Sequence, residues 1–165
     1  MNATRLVKHL FAPDWIVRRA FSREALRRIE AAIRRSESAH RGELAFAVEA
    51  GLDLLPLLKG VSPRQRALEV FSQLRVWDTE ENSGVLLYLQ LVDRDIEIVA
   101  DRGINSRVPQ EEWDAICHRM EQAYRERRFE EGTLAGVREI TELLARHFPP
   151  RVPDRDELPD KPVVL

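Results

Sequence analysis

Residues 77–103, WDTEENSGVLLYLQLVDRDIEIVADRG, decide how the chain folds. An acidic polar loop opens the stretch, and an apolar run from Gly84 to Val92 follows. After the polar pair Asp93-Arg94 comes an alternating segment that ends at Asp101. Two β-compatible runs split by a short polar pair predict a hairpin with strands over 85–92 and 95–101. With Asp93 and Arg94 as the central turn residues, Val92 faces Asp95, Leu89 faces Ile98, Tyr88 faces Val99 and Leu86 faces Asp101. Side chains alternate along a strand, so Leu87, Leu89, Leu91, Ile96, Ile98 and Ala100 share one face. Leu86, Tyr88, Gln90, Glu97, Val99 and Asp101 share the other. The hairpin brings Asp101 and Arg102, where the second strand leaves, beside Asn82 and Gly84, where the first begins. That corner is the candidate site.

The surrounding chain supports a single α/β domain. Its 165 residues, 33% charged and 44% hydrophobic, suffice for a self-supporting core. A net charge of -2 gives no nucleic-acid signal. One cysteine, Cys117, excludes an internal disulfide and any Cys-based zinc cluster. Neither a bilayer-spanning apolar run nor a signal-peptide core is evident, so the expected location is the cytoplasm, with a place at the membrane periphery as an option. Residues 1–21 mix Leu6, Leu10, Trp15 and Val17 with Arg5, Lys8, Arg18 and Arg19. They read as a basic amphipathic segment, either a surface anchor or short helices packed on the domain.

Further elements follow in order. Ser22 caps a helix over Leu26, Ile29, Ala32 and Ile33 that stops near Gly42. Residues 43–49 alternate as a half-buried strand. Residues 51–60 form a loop with a helical turn at 54–59. Ser62-Pro63-Arg64-Gln65 outlines a capping box, with Ala67, Leu68 and Phe71 at helical spacing behind it. Pro109 starts a helix with the stripe Trp113, Ile116, Cys117, Met120 and Tyr124. Another helix spans about 130–148. Pro149, Pro150, Pro153, Pro159 and Pro162 predict an extended, flexible tail over 149–165. The 43–49 and 85–92 strands, joined through a helix, should run parallel, with the hairpin strand antiparallel beside them. The expectation is a small mixed sheet of three to four strands sandwiched between helices.

The passages FSREALRRIEAAIRRSESAHRGELAFAVE, RALEVFSQLRVWDTEENSGVLLYLQLVDRDIEIVADRGI and FEEGTLAGVREITELLARHFP resemble the TPM domain family over about residues 22–148. That family includes plant thylakoid-lumen proteins linked to photosystem II repair and many bacterial proteins. Asn82-x-Gly84-Val85-Leu86, the strand ending in Asp101, and Glu131-Gly132 carry the likeness. The resemblance implies an α/β sandwich with an acidic cleft able to hold a divalent cation such as calcium. It also implies a phosphatase reading, because that activity has been attributed to plant members. Relatives commonly have glycine where Asp101 or Arg102 stands here.

The residues give that implication a location. Asp78, Glu80, Glu81, Asn82, Asp101 and Arg102 should converge, joined by Glu37 and His40 from the start of the 43–49 strand. Hard cations take several carboxylate, amide and carbonyl oxygens, so Asp78, Glu81, Asn82 and Asp101 are the candidate metal ligands. The spacing matches no EF-hand loop. Phosphoryl chemistry would use Asp101 or Asp78, with Arg102 on phosphate oxygens; Cys117, on an apolar helix face, reads as a packed thiol. His40 is expected at a solvated helix end, with a general acid/base role at the cluster as the alternative. Glu43, Glu49 and Glu97 are expected to pair with Arg27, Arg34 or another helical arginine. The expected function is a cation-responsive accessory or regulatory module. Its alternatives are a metal-assisted phosphatase and an adaptor for an unidentified protein partner or a membrane surface.

Overall fold

The computed structural model describes residues 15–52, 56, 58, 60–150 and 157–165. Its sheet contains β1 (Glu43–Glu49), β2 (Gly84–Gln90), β3 (Asp95–Ala100) and β4 (Val163–Val164), in the order β3-β2-β1-β4. β1 runs parallel to β2 and β4, and β2 runs antiparallel to β3. Among the described residues the helices with defined bounds are α1 (Trp15–Ala20), α2 (Arg23–Ser36), α3 (Pro63–Gln73), α4 (Arg102–Asn105), α5 (Gln110–Arg125) and α6 (Phe129–His147). The expected helical turn at 54–59 and the first fourteen residues of the basic segment fall outside the described residues, apart from positions 56 and 58.

Local chemistry sets the helix starts. Ser22 Oγ accepts from Ala25 N at 3.0 Å and opens α2. Ser62 Oγ accepts from Gln65 N at 3.1 Å, while Gln65 Oε1 accepts from Ser62 N at 2.9 Å. With Pro63 at the first position, this reciprocal box fixes α3. The two sheet faces then bury separate clusters. Val85, Leu87, Leu89, Ile96 and Ile98 pack beneath Ile29 and Ile33 of α2, Trp113 and Met120 of α5, and Ile140 and Leu144 of α6. Leu86, Tyr88 and Val99 pack beneath Ala67, Val70 and Phe71 of α3, joined by Leu158. Val17 and Phe21 insert into the first cluster, with Phe21 edge-on to Phe46 at 5.9 Å between ring centroids.

The hairpin forms, but its register differs from the sequence expectation. Gln90, not Val92, pairs with Asp95; Leu89 pairs with Ile96, Tyr88 with Glu97 and Leu86 with Val99. The slip is two residues, so every side chain keeps its expected face, and patterning alone is blind to it. Backbone chemistry explains the shift. Leu91 N and Val92 N donate to Glu49 O and Ala50 O of the neighbouring chain segment, and Arg94 turns at φ 57°. The connection is therefore residues 91–94.

Other expectations change through packing. β1 is buried at all seven positions because α3 and the tail around Leu158 together cover the face expected to meet solvent. Glu49 and Glu97 do pair with helical arginines as expected, and the helix is α3 rather than the one carrying Arg27 and Arg34. Glu49 pairs with Arg66 at 2.7 Å and Glu97 with Arg64 at 3.3 Å, while Glu43 Oε2 accepts from Leu158 N at 3.2 Å. His40 is buried, because α2 runs through a short 3₁₀ turn (Glu37–Ala39) that carries it inward. The flexible-tail expectation also gives way at residues 157–165. Leu158 and Asp160 are buried there, Asp160 pairs with Arg34 at 2.9 Å, and Leu165 N donates to Val48 O. Proline prevents helix and core-strand formation, but it leaves an extended segment free to add itself to an open sheet edge.

Candidate functional site

The corner anticipated from the hairpin exists. Asp101 N donates to Gly84 O at 2.8 Å and Gly103 N to Asn82 O at 3.1 Å, which ties the end of β3 to the loop before β2. Glu43 N donates to Ser83 O at 3.1 Å, so β1 begins at the same end. Two glycines permit this closure. A Cβ on Gly84 would lie 1.8 Å from Val76 O, and one on Gly103 would lie 2.6 Å from both Glu81 O and Asn82 O. The loop carbonyls thus press on the chain where only glycine fits.

Each side chain of the expected cluster has a definite place. Asp101 is the N-cap of α4, its Oδ1 accepting from Arg102 N at 2.7 Å. Its other oxygen, Oδ2, is buried without a hydrogen-bond partner. Arg102 Nε donates to Asn82 Oδ1 at 3.1 Å, so Arg102 closes over the loop. Asn82 itself has φ 53°, a left-handed turn that asparagine tolerates better than most residues. Glu81 is held by Arg41 at 2.6 Å, and Arg41 Nε also donates to Pro149 O. Asp78 turns outward to Arg75 at 2.5 Å. The backbone N of Glu80 donates to Glu157 Oε2 of the tail.

Asp101, Asn82 and Arg102 therefore come together directly, whereas Asp78 and Glu81 are each neutralised by a separate arginine. Among the described residues, no group of three or more His, Cys, Asp or Glu side chains could hold a metal ion. A cation here would rest on Asp101, on Asn82 and on loop carbonyls, with Glu81 joining only when it leaves Arg41. The orphaned Asp101 Oδ2 fits such an ion: a buried carboxylate oxygen without a donor lacks compensation for its lost hydration. Bound there, a divalent cation would supply positive charge and link the loop to the start of α4.

Nucleophile chemistry is poorly served by the thiol, since burial pushes Cys117 up to about 12. A second buried polar group lies beneath α3, where the expected pairing of Glu49 with a helical arginine is joined by Tyr88, a partner the sequence reading did not assign. Tyr88 OH donates to Glu49 Oε2 at 2.5 Å, and Arg66 reaches the same carboxylate through Nε and Nη2. Burial, then the bond to Glu49, raises the Tyr88 hydroxyl well above its ordinary range. The signal available was glutamate at a strand position destined for cover; its partners on α3 required the packing.

A family model described as the TPM domain matches residues 18–143. The chain belongs to the TPM domain family. Its fold recurs in solved structures. The BA42 protein of the psychrophilic bacterium Bizionia argentinensis is 28% identical with a TM-score of 0.78, over 88% of this chain and 95% of that one. The N-terminal domain of a P. gingivalis protein shares the fold at 23% identity and a TM-score of 0.62, with 78% of each chain covered. Among curated proteins none matches. Within this TPM domain, the matched residues contain the whole Asn82–Asp101 corner. No helix among the described residues is long and apolar enough to cross a membrane.

Proposed function

We propose that this TPM domain is an accessory binding module whose hairpin corner takes a divalent cation, with Asp101 as the anchoring ligand. The observation that carries the reading is the buried, partnerless Oδ2 of Asp101 at the start of α4. The carbonyl oxygen of Glu81 adds a neutral ligand of the kind calcium takes, Asn82 Oδ1 adds another once Arg102 swings off it, and Glu81 adds a second carboxylate when it leaves Arg41. Occupancy would tie the loop before β2 to α4 and so make the corner's shape depend on the ion.

Calorimetric titration with calcium and with magnesium tests this, alongside thermal melting. At a hundredfold excess over Kd, a single native-state site stabilises by about 2.7 kcal/mol. Asp101→Asn is the informative variant, because asparagine caps a helix as well as aspartate does but carries no charge. The expected result is saturable binding that disappears in Asp101→Asn while the unliganded melting temperature hardly moves. Absence of heat and of any thermal shift at millimolar metal would overturn the reading, as would unchanged binding by the variant.

A further inference from the structure

At the other end of β2, α1 presents a surface of a different character. Trp15 is 55% exposed at the rim of a concavity of about 360 Å³. Ile16 and Phe129 line its apolar part, and Arg19, Arg94 and Arg127 stand around it. None of these arginines has a carboxylate partner among the described residues. The carboxylates at the nearby start of α6 are already engaged, Glu126 and Glu131 by Arg128 and Glu130 by Arg28. On the other flank of α1, Arg18 and Arg23 border a second hollow over Val17, Phe21 and Leu26. Unneutralised positive charge therefore brackets an exposed indole and aliphatic carbon, in a chain whose net charge is -2.

We propose that this face docks on a bilayer surface containing anionic phospholipid. The arginines engage headgroup phosphates, and Trp15 sits at the boundary with the acyl region. The guanidinium fork matches phosphate oxygens. Tryptophan, amphipathic and broad, settles at the membrane–water boundary. An acidic protein segment would meet the charges but gives no reason for an indole raised beside an apolar hollow. This proposal stands apart from the cation reading, since the two surfaces share no residue.

Two backbone angles provide a clean variant. Arg94 and Arg127 have φ of 57° and 62°, where glycine is favoured, so replacing both with glycine removes charge while relieving the turns. The full chain is sedimented with phosphatidylcholine vesicles, with and without about one-third phosphatidylglycerol. The expected result is binding to the anionic vesicles alone, weakening as salt rises. Arg94→Gly with Arg127→Gly should bind roughly thirtyfold more weakly, from about fivefold per arginine, with an undiminished melting temperature. The vesicle-induced blue shift of tryptophan emission should vanish in Trp15→Phe and persist in Trp77→Phe. Equal binding to neutral vesicles, no binding to either, or undiminished binding by the double variant would overturn the proposal. So would polyglutamate binding as tight as vesicle binding, which would give the face to an acidic protein partner.

Discussion

Gly84 and Gly103 decide whether the corner can close. At Gly84 the obstacle to a side chain is the carbonyl oxygen of Val76, a backbone atom that cannot rotate away. Gly84→Ala is therefore expected to cost about 3 kcal/mol or more, read as a lower urea midpoint with an unchanged slope. Gly103→Ala meets two loop carbonyls at a longer 2.6 Å and should cost less, in the range of about 1–3 kcal/mol. Both glycines were visible in the sequence, and glycine at a strand end hints at a close backbone approach. Which backbone approaches was not legible, because Val76, Glu81 and Asn82 reach them only through the folded loop. Asp101 is similar: its place at the corner followed from the hairpin, but its role as the α4 cap did not. The residues between Arg102 and Asn105 are too few to show helical periodicity.

Among the elements, the hairpin was the most readable, and its error shows the limit of reading. Face patterning repeats every two residues, so it fixes which side chains point inward and leaves a slip of two undetected. The missing information lay in β1, whose terminal carbonyls claim Leu91 N and Val92 N. A helical arginine on Glu49 was expected, but that the helix is α3 and that Tyr88 joins the pair was not legible, because β1 read as half-exposed. This packing has a pH signature. Burial raises Tyr88, Tyr124 and Cys117 above their unfolded values. Groups raised in the fold stabilise fully below their unfolded pKa, and that contribution is lost as pH climbs toward the folded one. The unfolded chain then binds fewer protons than the native one, so stability should fall from about pH 9 upward, by up to ~1.4 kcal/mol per pH unit per group. Tyr88→Phe should cost about 1–3 kcal/mol at neutral pH through the lost bond to Glu49. It should also flatten the decline above about pH 10. Urea unfolding at a series of pH values measures both.

At the scale of the whole molecule, the tail residues 157–165 complete the sheet. They occupy the outer edge of β1, bury Leu158 against the α3 face and anchor Asp160 on Arg34 of α2. An uncovered edge of β1 would offer unpaired backbone groups to other chains. Leu158→Ala should destabilise by about 2–3 kcal/mol, speed hydrogen exchange at the Leu165 amide and increase self-association on concentration. Exchange unchanged from the native protein would show that the tail is held without Leu158. The α/β class and the mixed sheet were legible because periodicity and chain order suffice for them. The tail was not, since its prolines and charges resemble a solvated segment until an open edge receives it.

The corner between Asn82 and Asp101 is the claim on which the functional account rests, and amide NMR during calcium titration tests it most directly. Saturable shifts confined to residues 81–84 and 101–103, and missing from Asp101→Asn, are the expected result. Shifts that never appear, that scatter over the molecule, or that survive unchanged in the variant would contradict it.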